Sequence, residues 1–99
     1  MKTLFYTREF PPYVYGGAGV HVEYLAEELS KLMNVEVRCF GDQDSKEGSL
    51  SVKGFPYENE TFKNADDKLK AVFQTLSTGL HMNADVIVAD VVHCHTWYA

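Results

Sequence analysis

Hydrophobic and polar positions change their period several times along the chain. Residues 3–7, Thr-Leu-Phe-Tyr-Thr, are apolar and aromatic without alternation, the pattern of a strand buried on both faces, as in a parallel sheet. Over residues 20–33, Val22, Leu25, Ala26, Leu29, Leu32 and Met33 recur at steps of three and four, with Glu23, Glu27, Glu28 and Lys31 between them. That spacing predicts an amphipathic helix with one face on a sheet. Asn34 supplies a stop, and residues 35–40 alternate apolar and polar before Gly41 breaks the pattern. The order is therefore β-loop-α-β, for which a parallel, right-handed crossover is expected.

The middle of the chain is less regular. Residues 41–59 are rich in Asp, Ser, Lys and Gly and read as a solvated surface excursion, with only a weak strand pattern at 51–55 that Pro56 ends. A second helix follows, because Phe62, Ala65, Leu69, Val72, Phe73, Leu76 and Leu80 repeat at helical spacing while Lys63, Asp66, Asp67, Lys68 and Lys70 fill the other side. Its apolar stripe is expected in the core. The last stretch, ADVIVADVVHCHTWYA, carries Ala-Asp-Val twice, from Ala84 and from Ala89. A strand is expected over 91–95, with 86–88 as a candidate extension. The class is α/β with a parallel sheet. Ending at Ala99, the chain lacks the helix that should follow this strand, so a truncated sheet is expected, with an unpaired edge through which copies self-associate.

Composition narrows the setting. A chain of 99 residues, 45% apolar and 23% charged, builds one small core and at most one domain. A net charge of -5 argues against non-specific nucleic-acid binding. No run of 18 apolar residues and no secretory leader pattern is present, so neither a membrane nor export is expected and the cytoplasm is the predicted location. Cys39 and Cys94, without CxxC spacing, read as free thiols in a reducing compartment.

Two clusters carry candidate chemistry. Gly16, Gly17 and Gly19 stand between the first strand and the first helix, where unpaired N–H groups and the positive end of the helix dipole meet, and side-chain-free residues let a phosphate approach. The spacing is neither GxGxxG nor a P-loop, so the glycines alone leave a structural turn and a phosphate cradle equally open. Pro11-Pro12 is expected to force an extended path through this long loop, with Glu9, Tyr13 and Tyr15 around it. Arg8 is a candidate anion contact there, with a surface salt bridge as the more economical reading, and His21 joins Arg8 and Tyr15 among the pocket-lining candidates. The second cluster is His93-Cys94-His95-Thr96-Trp97-Tyr98. Alternation puts His93 and His95 on one face, but spacing supplies no third ligand, so no metal is expected. A histidine at the strand tip, with Trp97 and Tyr98 lining a pocket, is preferred over a core role.

Taken together, TREFPPYVYGGAGVHVEYLAEEL and ADVVHCHTWYA resemble the start of bacterial and archaeal glycogen (starch) synthases, retaining glycosyltransferases of the two-domain GT-B type. The likeness is concentrated in residues 5–33 and 89–99. It implies that residues 1–99 form an incomplete N-terminal, acceptor-side Rossmann-like domain, with the C-terminal nucleotide-binding domain absent. By position it places Gly16, Gly17 and Gly19 against the diphosphate and sugar of a nucleotide-glucose donor, and makes His95, beside Trp97, the catalytic histidine that reaches the sugar. The implied reaction moves glucose from ADP-glucose to the non-reducing end of an α-1,4-glucan, or in some relatives to glucose 1-phosphate, with no further cofactor.

Many of these enzymes have Lys-Thr-Gly-Gly-Leu-Gly in the loop, where this chain has Val14-Tyr15-Gly16-Gly17-Ala18-Gly19. The lysine is missing, so Arg8 or the second domain must supply the cation, or the donor preference differs. The cations that stabilise the leaving group would lie in that second domain, and the isolated chain is expected to be inactive. The alternatives are another nucleotide-sugar transferase of this architecture, or a binding module without chemistry.

Overall fold

The computed structural model describes residues 1–56, 63–85 and 87–95. Seven elements follow in order: β1 (Lys2–Tyr6), α1 (Gly17–Ser30), β2 (Asn34–Phe40), β3 (Asp44–Glu47), β4 (Leu50–Phe55), α2 (Asp67–Ala84) and β5 (Val91–Cys94). They form one five-stranded sheet in the order β3-β4-β2-β1-β5. β1 runs parallel to β2 and β5, and β4 runs parallel to β2, while β3 lies antiparallel on the outside of β4. The sheet is mostly parallel, as the periodicity predicts, and is consistent with the Rossmann-like fold that the resemblance implies. β1 lies at its interior, as its unbroken apolar run requires, with Leu4, Phe5 and Tyr6 at most 2% exposed.

The two faces are covered unequally. On one face Val22 and Ala26 of α1 pack on Phe5, Val35, Val37, Cys39 and Val52, joined at the rim by Leu25, Leu29 and Met33. On the other, Met82 alone from α2 meets Leu4, Tyr6 and Phe40 in the buried cluster. The stripe expected in the core is largely outside it: Leu69, Val72, Leu76 and Leu80 are 46–72% exposed, and only Thr78, Gly79 and Met82 of α2 are buried. α2 is fastened at its C-terminal end instead. Arg38, on β2 and 3% exposed, donates to Met82 O at 2.8 Å and to Tyr6 Oη at 3.2 Å, while its Nε bonds Glu36 Oε2 at 2.7 Å. A buried cation thus meets the carbonyl end of a helix, where the dipole favours it. Lys53 adds an ion pair to Asp85 at 2.6 Å.

The region read as a surface excursion is part of the sheet. The weak pattern at 51–55 is β4, between β2 and β3. Its disguise has a physical cause, because residues 41–43 cross over the end of β4 before β3 begins. Gly54 permits that crossing: a side chain there would overlap the Gln43 nitrogen and the Gly41 carbonyl. Gly41 turns at φ +130°, outside the range of ordinary residues. Helix α2 starts at Asp67 because the Asp66 carboxylate caps Lys68 N–H at 2.8 Å; Ala65 precedes the helix, and Phe62 lies outside the described residues. Ile87 and Val88 do not extend β5, and Val86 lies outside the described residues. Pro11-Pro12 does not run extended either. It forms a tight turn with a cis bond, closed by Tyr13 N–H donating to Phe10 O at 3.0 Å. Among the described residues, no helix is long and apolar enough to cross a membrane. Both cysteines are free, Cys39 buried and Cys94 exposed, and burial pushes the Cys39 thiol up to about 12.

Candidate functional site

The carboxyl ends of β1, β2, β4 and β5 share one end of the sheet, the end at which open α/β sheets gather ligands. The chain leaves β1 through Thr7, Arg8 and Glu9, turns at 10–13, and enters α1 at Gly17, three residues earlier than the apolar pattern predicts. The glycines are therefore the helix N-terminus itself, with Gly16 as its extended N-cap. No side chain caps α1, and its first turn holds no acidic residue, so the helix leaves the positive end of its dipole uncompensated from within.

The three glycines divide in use. A Cβ on Gly16 or Gly17 would meet nothing within 4 Å, so their backbone lies open to an approaching group. Gly19 is different: it is buried, and a Cβ there would fall 2.9 Å from Glu9 and from Val14. Its bareness serves helix-to-loop packing, and only the first two glycines offer an open cradle. The Glu9 carboxylate also accepts the Tyr15 N–H at 3.1 Å, which ties the loop's two ends together.

Across from this loop stands His95. Its N–H donates to Tyr6 O at 2.8 Å, continuing the β1–β5 pairing one residue past β5. Its ring packs edge-on against Phe5, with centroids 4.9 Å apart, and lies 4.1 Å from the His93 ring, so the two histidines do share a face. Burial lowers the His95 pKa, and the nearby His93 and His21 lower it further, which favours a neutral imidazole. Its Nε2 is buried and has no hydrogen-bond partner among the described residues. Among those residues no three His, Cys, Asp or Glu side chains converge as a metal site.

A cavity of about 420 Å³ joins these parts, lined by Arg8, Glu9, Tyr15, Ala18, Gly19 and His95 among others. Gly19, Arg8, Tyr15 and His95 are thus brought to one opening from segments some eighty residues apart, whereas Gly16 and Gly17 are not part of its lining. His21 sits on α1, exposed, and enters through its charge on His95. Trp97 and Tyr98 lie outside the described residues. Sequence reasoning passed over two groups. Asp42, set in what read as a surface excursion, accepts the Tyr13 hydroxyl at 2.7 Å, and this bond raises the Tyr13 pKa. Arg38 was visible only as a charged residue inside an apolar strand.

No protein-family model matches the chain. Its sequence is 41% identical to α-maltose-1-phosphate synthase of Mycolicibacterium smegmatis over 98 residues, which is 99% of this chain and 23% of that protein. The α-maltose-1-phosphate synthase of Mycobacterium tuberculosis is 39% identical over the same shares. The chain therefore spans under a quarter of the length of the curated relatives it matches, with the alignment running through both the glycine loop and the histidine strand.

Proposed function

We propose that this chain forms the acceptor-side, Rossmann-like part of a two-domain retaining glycosyltransferase that moves glucose from ADP-glucose to glucose 1-phosphate, with an α-1,4-glucan as the other acceptor of the glycogen synthase group. The observation that carries the reading is the cavity in which the first turn of α1, at Ala18 and Gly19, faces His95, whose buried Nε2 has no hydrogen-bond partner among the described residues. The activity of the relatives, α-maltose-1-phosphate synthases, favours a sugar phosphate as product.

In this reading the donor diphosphate lies over Gly16 and Gly17, where backbone N–H groups and the helix dipole favour an anion. Arg8 supplies the positive side chain that the loop lacks at Val14. The His95 Nε2 meets a hydroxyl of the transferred sugar, and a neutral ring suits a hydroxyl better than a charged one suits the already cationic surroundings of the phosphates. The groups that stabilise the departing diphosphate would come from a second domain, so transfer is expected only when both parts are present.

The test is kinetic. In the full-length reading frame that contains this chain, His95→Ala is expected to lower kcat about a hundredfold or more while the KM for ADP-glucose stays within a few-fold, as removal of a transition-state contact requires. Unchanged kcat, or a loss explained wholly by a lower melting temperature, would overturn the role of His95.

A further inference from the structure

His95 stands one residue past the end of β5, where the bond from its N–H to Tyr6 O holds the backbone. Its Nε2 has no hydrogen-bond partner among the described residues, so no bond at that atom fixes the plane of the imidazole. Ring packing does so instead. Phe5, His93 and His95 form a triangle whose centroids are 4.1, 4.9 and 5.6 Å apart. We propose that His93 is the positioning residue of this site: its imidazole, lying along the His95 ring, holds that ring against Phe5 at the cavity wall in the orientation the transfer uses; this rests on the transferase reading above.

The corners of the triangle do different things. Phe5 is fixed in the core beneath α1 and meets both histidines edge-on, at 71° to His95 and 89° to His93. That contact stops His95 from moving inward and leaves it room to turn. The outer torsion of a histidine side chain is broad, so a ring without a hydrogen bond needs a second surface to set its plane. His93 supplies that surface, 4.1 Å away and tilted by only 32°. The strand dictates the pairing: residues two apart share a face, and His93 lies opposite Phe5 in the β1–β5 register. His93 is itself exposed, so burial in the core does not account for a ring at this position.

Two imidazoles this close also govern each other's protons. A proton on one places positive charge beside the other, and the pair resists holding two. The titratable and charged groups facing His95 are His93 from β5, His21 from α1, and Arg8, Glu9 and Tyr15 from the loop after β1. Of these, only the Glu9 carboxylate favours a proton on His95, and it accepts the Tyr15 N–H at 3.1 Å. Burial first, then His93 and His21, bring the His95 pKa below its ordinary 6.5. His93 therefore supports a neutral ring as well as a fixed one.

The experiment compares two variants in the full-length reading frame that contains this chain. His93→Ala removes the ring and its charge, whereas His93→Phe removes the charge and keeps a ring. His93→Ala is expected to lower kcat about tenfold while the KM for ADP-glucose stays within about twofold, as misplacement of a reacting group requires. His93→Phe is expected to restore kcat on the alkaline plateau to within about threefold, and to move the acid limb of the pH profile upward, because His95 then takes up a proton more readily. A proton NMR titration of the His95 Cε1–H signal in the 99-residue chain reads the same upward shift without catalysis. The positioning role is overturned if His93→Ala keeps full kcat, if its loss is explained wholly by a lower melting temperature, if His93→Phe is as slow as His93→Ala, or if neither the acid limb nor the His95 titration moves in His93→Phe. The His95→Ala variant separates the two readings. Unchanged kcat there would sink the transferase reading and the role of His93 with it, whereas a large loss there beside an unaffected His93→Ala would sink the role of His93 alone.

Discussion

The two helices carry similar amphipathic patterns and are held to the sheet in different ways. α1 lies with Val22 and Ala26 in a buried cluster that reaches across β1, β2 and β4, and Leu25 and Leu29 close its rim. α2 leaves most of its apolar stripe in solvent and is fixed near its last turn by Met82 and by the Arg38 network. Periodicity states which side of a helix is apolar. It does not state how much of that side the rest of the chain covers, and here coverage separates a helix that shapes the site from one that is pinned at one end.

The largest expected effect probes the well-packed side. Phe5 is fully buried beneath α1 and touches both histidine rings, so Phe5→Ala should cost about 3–5 kcal/mol, as truncation of a core aromatic does. Urea unfolding measures it, and a loss under about 1 kcal/mol, near the scale of a surface change, would mean that the α1 side is no better packed than the α2 side.

Arg38→Met comes next, at about 3 kcal/mol, because it leaves Glu36 and the Met82 carbonyl without their buried donor. Hydrogen exchange sharpens the contrast: α2 amides should lose protection before those of α1, whereas Phe5→Ala should lower both together. Equal loss in both helices would show that Arg38 supports the sheet as a whole.

Acid reaches the same network. Burial by itself would raise the Glu36 pKa, but hydrogen bonds from Arg38 and Lys2, with their charges, hold it below its ordinary 4.5. A carboxylate lowered in the folded state contributes fully above its unfolded pKa, and that contribution is lost as pH falls through the folded value. The unfolding midpoint should therefore drop on acidification below 4.5, and Glu36→Gln should flatten that part of the profile. The smallest effect belongs to the exposed stripe. Leu76 is 46% exposed, and Leu76→Ala should stay within about 0.5 kcal/mol; a larger loss would place α2 in a tighter contact than its exposure indicates.

Much of this organisation was legible from residue order. The unbroken run at Leu4, Phe5 and Tyr6 marked an interior parallel strand, and the steps from Val22 to Leu29 marked α1, because both patterns report burial on fixed periods. β3 and β4 were hidden, since Asp44–Glu47 exposes all four residues and Gly54 breaks the apolar pattern for the sake of a chain crossing that no local period records. In the candidate site, Arg8, Tyr15, Gly19 and His95 line one cavity, while Gly16, Gly17 and His21 are not in its lining. The separate use of Gly19 was not legible, because its reason is the arrival of Glu9 and Val14 from elsewhere in the loop. Asp42 was hidden for the same reason, its partner being twenty-nine residues away.

The β3–β4 connection has a practical consequence. Its two residues, Gly48 and Ser49, are exposed, and Gly48 turns at φ +55° in open space. They sit at the end of the sheet opposite the glycine loop and His95, because β4 leaves this turn in the same direction as β1, β2 and β5. A fluorophore or a tether attached there would report on or immobilise the chain from behind, leaving the ligand-facing end of the sheet unobstructed.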